Sequence, residues 1–131
     1  MMKSELLNSE IIEIISKMGH TDEIVIGDAG LPIPEGVRRI DLALITGQPA
    51  FLDVLEVILK SFECEGYVLA HEIKDKNPMV ESKIIELLGS DSAEYITHEE
   101  FKNRTGSAKA VIRTGECTPY ANIILKSGVI F

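Results

Sequence analysis

The chain has 131 residues, 45% of them hydrophobic and 26% charged, which is enough for one domain with a sizeable core. Its formal net charge of −8 repels nucleic-acid backbones and anionic membrane surfaces, so neither is an expected partner and a neutral or cationic ligand is easier to accommodate. No apolar run approaches a membrane span, the N-terminus lacks an export signal, and the two cysteines, Cys64 and Cys117, form no framework, as expected of a cytoplasmic chain with reduced thiols.

Asn8 or Ser9 caps a first predicted helix, whose Ile11, Ile14, Ile15 and Met18 follow the i, i+3, i+4, i+7 stripe, with Gly19 placed to end it. His20 follows directly. The apolar Ile24-Val25-Ile26 makes a short strand over Glu23 to Gly27, and Gly27-Asp28-Ala29-Gly30 opens a turn after it. A second strand is expected from Arg39 to Leu44, where apolar and polar residues alternate, and Gly47 and Pro49 punctuate its exit. Phe51, Leu52, Leu55, Ile58, Leu59 and Phe62 form the apolar face of a helix of about three turns. Gly66 precedes a strand at Tyr67 to His71. Asn77 caps the next helix with Pro78 at its first position, Val80, Ile84, Leu87 and Leu88 give it a buried side, and Gly89 stops it. A strand at Glu94-Tyr95-Ile96 leads to Thr97, which has the spacing of a capping box with Glu100 for a short helix containing Phe101. Strands at Ala110 to Arg113 and Asn122 to Leu125 complete the chain. This alternation predicts an α/β fold, a single domain over residues 1–131 in three layers, with a largely parallel central sheet and helices on both faces. The end of the chain, Gly128-Val129-Ile130-Phe131, is apolar enough to predict docking against a core or another subunit.

Metal and phosphate signatures are missing: there is no HExxH, no CxxC, and no P-loop or dinucleotide fingerprint around Gly27-Asp28-Ala29-Gly30, so neither metal nor cofactor is expected. Cys117 reads either as a nucleophile or, more simply, as a small buried structural cysteine. The remaining polar chemistry sits at loop positions: His20, Asp28, His98, Tyr120 and Asn122. Imidazole gives and takes protons near neutrality, a carboxylate accepts from hydroxyls, and Tyr and Asn add directional hydrogen bonds, a set suited to a sugar. His20 and Asp28 flank one strand, a spacing that allows both side chains to meet at one cleft. Each residue also has a structural reading: His20 as a capping residue, Asp28 as a turn former, His98 at a helix start, Tyr120 in the core with its hydroxyl at the rim, and Asn122 in a turn.

Several segments together resemble the D-ribose pyranase family: Gly19-His20-Thr21-Asp22, Asp28-Ala29-Gly30-Leu31-Pro32-Ile33-Pro34, Arg39 to Leu44, His98-Glu99-Glu100-Phe101-Lys102, Arg113-Thr114-Gly115-Glu116 and Thr118-Pro119-Tyr120-Ala121-Asn122. The likeness runs from Leu7 to Phe131. It implies an isomerase that interconverts the pyranose and furanose rings of D-ribose for a downstream kinase, with His20 as catalytic proton donor and Asp28, His98, Tyr120, Ala121 and Asn122 binding the sugar. It also implies a homo-oligomer, a decamer of two pentameric rings, in which the carboxyl-terminal motif of one subunit completes the site of its neighbour. Two rival readings are an L-fucose mutarotase and a non-catalytic sugar-binding accessory of a ribose transporter. Gly27, Ile45-Thr46 and His71 depart from the family pattern, which bears on the surroundings of the site more than on the reaction.

Overall fold

The computed structural model describes residues 1–131. In chain order the elements are α1 (Ser9–Lys17), β1 (Glu23–Gly27), β2 (Arg38–Asp41), α2 (Phe51–Leu59), β3 (Cys64–Ala70), α3 (Ile73–Lys76), α4 (Pro78–Leu88), β4 (Ala93–Ile96), α5 (His98–Arg104), a 3-10 turn (Thr105–Ser107), β5 (Ala110–Arg113) and β6 (Ile123–Ser127). The strands form one six-stranded sheet in the order β2-β5-β1-β6-β3-β4. β2, β5 and β1 run parallel, as do β3 and β4, while β6 is antiparallel to both of its neighbours. The expected largely parallel sheet is therefore present with one inverted strand near its centre.

That inversion follows from a short connection and creates the site. Only Thr114 to Asn122 separates β5 from β6, with no helix between them, whereas a parallel return needs a crossover of roughly a dozen residues or more. The chain must turn straight back. Because β1 lies between β5 and β6, the returning loop passes over the end of β1 and onto Asp28.

Strand alternation divides the core between the two faces of the sheet. Ile24 and Ile26 of β1, with Ile112, Ile123, Leu125 and Leu69, pack in the larger cluster, which also receives Ile11 of α1, Phe51, Leu55 and Ile58 of α2, and Val80 and Ile84 of α4. Val25, Val111, Ile124 and Val68 point the other way, to Leu31, Ala108 and Phe101 of α5. Helices therefore cover both faces, unequally. Phe51, Phe101, Leu55 and Ile58 are fully buried, each contributing roughly 1.5–3 kcal/mol by the area it removes from water.

Local differences from the sequence reading have local causes. Asn8 caps α1, accepting from the Ile11 N–H at 3.0 Å, and the helix ends at Lys17 with Met18 as its C-cap, one residue before Gly19. β2 stops at Asp41, because its only partner, β5, ends at Arg113; Leu44 and Ile45 beyond it are exposed. α2 ends at Leu59, leaving Phe62 buried in the connection rather than on the helix. β3 begins at Cys64, with an irregularity between Cys64 and Gly66. Thr97 caps α5 by accepting from the Glu100 N–H at 3.2 Å, and the neighbouring N–H of His98 is held by Glu72 of a different element, both of whose carboxylate oxygens accept from it at 3.1 Å. The chain end does not dock on its own core: Ile130 and Phe131 are 91% and 101% exposed. No helix is long and apolar enough to cross a membrane.

Candidate active site

Asp28 leaves β1 at its carboxyl edge, where ligands of open α/β sheets gather. Its backbone N–H donates to Asn122 Oδ1 at 2.8 Å, and Asn122 Nδ2 donates back to Asp28 Oδ2 at 3.0 Å. Asn122 is wholly buried, so this reciprocal pair fixes the start of β6 against the end of β1. The Gly30 N–H donates to Asp28 Oδ1 at 2.9 Å, closing the turn predicted from the sequence. Burial pushes the Asp28 carboxyl above its usual range, against the hydrogen bonds from Gly30 and Asn122 and the nearby His98, which pull it down.

The returning loop is tied down along its length. Buried Thr114 donates from Oγ1 to the Gly27 carbonyl at 2.8 Å, and the Ala29 N–H donates to the Glu116 carbonyl at 2.8 Å. Arg113 donates from Nε to the Ala29 carbonyl at 3.0 Å and from Nη1 to Asp41 at 3.1 Å. Glu116 accepts from the Phe51 N–H at 3.1 Å and from the Thr118 hydroxyl at 2.9 Å, placing a carboxylate at the amino end of α2, whose own N-cap residue is Ala50. At Gly115 a Cβ would lie 2.6 Å from the Gln48 backbone nitrogen and closer still to its carbonyl oxygen, so only glycine fits.

Above this frame sit two rings. Tyr120 has φ +57°, the left-handed region that an aromatic residue rarely occupies, and the Asn122 N–H donates to its carbonyl at 2.9 Å. Its ring meets His98 edge-on, with centroids 5.0 Å apart. His98 stacks on Phe101 at 6.4 Å, and its Nδ1 is buried without a partner. Ala121 is wholly buried between Tyr120 and Asn122. Five of the six sequence-derived site residues, Asp28, His98, Tyr120, Ala121 and Asn122, are thus gathered at one edge.

His20 is not among them, and the expectation that it meets Asp28 in one cleft fails within a single chain. A strand is a spacer: five residues at about 3.3 Å each put roughly 16 Å between the two edges of the sheet. His20 lies at the far edge, 53% exposed, where its Nε2 pairs with Glu65 Oε2 at 2.7 Å. That hydrogen bond, with help from Lys126, holds the Glu65 carboxyl below its usual range. Cys117 is exposed rather than a buried structural thiol.

Sequence reasoning missed Glu65, which orients the His20 ring, and Glu72, which anchors the His98 backbone. Asn77 stands at the N-cap of α4 with Pro78 first in the helix, as expected, but its side chain has another role. The side chain makes no capping bond to α4; its Nδ2 donates instead to Thr118 Oγ1 and the Pro119 carbonyl, both at 2.9 Å.

A family model described as the RbsD / FucU transport protein family matches residues 1–130. The chain belongs to this family. It is 53% identical over 131 residues, covering all of both chains, to the D-ribose pyranases of Clostridium novyi and Bacillus cereus. Bacillus subtilis RbsD complexed with D-ribose superposes with a TM-score of 0.97 at 50% identity over 100% of each chain. The fucose mutarotase in complex with L-fucose from Streptococcus pneumoniae gives 0.82 at 26% identity, over 95% of this chain and 94% of that one. The fold is shared with both, and family membership matches the resemblance seen in the motifs.

Proposed function

We propose that this chain is a D-ribose pyranase, an isomerase that interconverts the β-pyranose and β-furanose forms of D-ribose. One observation carries the reading: the Asp28–Asn122 pair beneath His98 and Tyr120 occurs in a chain 50% identical over its full length to a protein solved with D-ribose. In the reaction, the ring oxygen gains a proton as the C1–O5 bond breaks, and the anomeric hydroxyl loses one to solvent, leaving the open aldehyde. Rotation about C2–C3 and C3–C4 then brings O4 to C1, which it attacks; O4 loses its proton and the carbonyl oxygen regains one, so the product is an isomer with no change of oxidation state.

His20 is the proposed proton donor. Nε2 is engaged by Glu65, which leaves Nδ1 to exchange a proton with a substrate, and a positioned imidazole contributes typically about 10² to 10⁴ in rate. Asp28, His98, Tyr120, Ala121 and Asn122 hold the sugar, Asp28 accepting from hydroxyls and the rings covering its carbon faces. Since one chain keeps His20 and this cluster apart, the complete site takes His20 from a second copy. Exposed apolar residues flank both halves, Leu44 and Ile45 near the cluster and Ile130 and Phe131 beyond β6, which supports a head-to-tail contact between copies of the 1–131 unit. The assembly we favour is a cytoplasmic decamer of two pentameric rings that passes furanose to a kinase.

Magnetisation-exchange NMR on D-ribose and L-fucose tests the function. Accelerated pyranose–furanose exchange of ribose is expected. Acceleration for fucose alone would make the chain a fucose mutarotase, and tight ribose binding without acceleration would make it a transporter accessory.

A further inference from the structure

Asn77 occupies the N-cap position of α4 with a side chain that does something else. The residue is 8% exposed, and its amide reaches more than forty positions along the chain to the loop that carries Tyr120. The direction of the bonds is fixed by chemistry. Thr118 donates its hydroxyl proton to Glu116 Oε2, so Thr118 Oγ1 is an acceptor toward Asn77, and the Pro119 carbonyl accepts only. Asn77 therefore uses both amide protons, and the chain Asn77–Thr118–Glu116 ends on the Phe51 N–H at the start of α2. The Thr118–Pro119 segment is clamped between the amino ends of two helices.

The peptide immediately after this clamp is the one that enters Tyr120 at φ +57°. Left-handed backbone at an aromatic residue persists only where its surroundings over-determine it, and an oriented Pro119 carbonyl is the nearest constraint on that peptide. The same turn aims the Tyr120 ring edge-on at His98 and delivers Asn122 to Asp28. We propose that Asn77 is a positioning residue for sugar binding: its two donated hydrogen bonds hold Tyr120 in its left-handed conformation against His98. The proposal rests on the reading of the Tyr120 cluster as the ribose site.

Asn77→Asp separates this role from helix capping. Asp suits the N-cap position as well as Asn, so the start of α4 is not disfavoured, but a carboxylate has no proton for the Pro119 carbonyl. Three readouts are compared with the unaltered chain: thermal unfolding, the NMR signals of the His98 ring, which lies in the field of the Tyr120 ring, and the ribose concentration giving half-maximal exchange. The expected result is a lowered but still cooperative unfolding transition, shifted His98 signals in the folded chain, and half-saturation raised about tenfold or more with a smaller change at saturation. Unshifted His98 signals with unaltered half-saturation would overturn the proposal. Should the variant not fold, Thr118→Ala on the exposed loop removes one acceptor and must shift the same signals; unchanged signals there would overturn it equally. If the unaltered chain accelerates no exchange, the functional reading falls while the His98 signals still judge Asn77.

Discussion

Replacing Asn122 by Asp puts the Asp28 pair under direct test. The variant keeps an oxygen to accept from the Asp28 N–H, but its second oxygen takes the place of an Nδ2 that lies 3.0 Å from Asp28 Oδ2. Two full charges at that separation repel by about 5 kcal/mol at an effective dielectric of about 20. Repulsion on that scale, added to the burial that already raises Asp28, favours one shared proton over two charges. A carboxyl raised in the folded state binds more protons there than when unfolded, so the variant is most stable below the unfolded carboxyl value. Its stability falls by about 1.4 kcal/mol per pH unit as pH rises through the window up to the raised folded value. Urea denaturation of the variant and the unaltered chain, at steps between about pH 5 and 8, reads the difference in slope. A constant offset across that range would refute the idea that the two side chains face each other in the folded protein.

His20→Asn should leave ribose binding intact by calorimetry while exchange at saturating ribose drops by about two to four orders of magnitude; near-normal exchange there, with collapse in His98→Asn, would reverse the two roles. Removing Ile130 and Phe131 should lower both the mass seen by light scattering and the activity, as burial of each large side chain is worth roughly 1.5 to 3 kcal/mol; an unchanged assembly with full activity would count against the tail as a contact. Gly115→Ala, which drives a Cβ into the Gln48 backbone, should cost about 1–3 kcal/mol or more in urea denaturation, and a neutral result would mean that the loop yields.

The layers of the fold were legible because they depend on period. Ile24 and Ile26 against Val25, or Ile11 with Ile15, announce their faces through spacing alone, and glycine and proline mark where helices stop. The inverted strand was not legible, since pairing direction depends on a connection too short to cross over, and period is silent on direction. Asn77 shows a second limit. Asn before Pro at a helix start has a sufficient local explanation, so nothing in the sequence points to a partner forty residues away. His20 shows a third. Adjacency to a strand that also borders Asp28 looks like proximity in the sequence, yet the strand's own length keeps the two apart. The motifs picked out five residues that the fold gathers at one edge, while physical reasoning about one chain had no means of seeing that His20 lies at the other.

Mixing two inactive chains tests the account most directly. His20→Asn retains the Asp28 cluster and Asp28→Asn retains His20, so a site assembled from two copies regains both halves wherever an Asp28→Asn chain presents its His20 to a His20→Asn neighbour. Random head-to-tail assembly restores about a quarter of the sites. Unfolding and refolding the variants together, then measuring ribose exchange by NMR, should therefore recover about a quarter of the unaltered activity from two preparations that have almost none alone. No recovery from a mixture that assembles normally would contradict a site completed by His20 of a second copy.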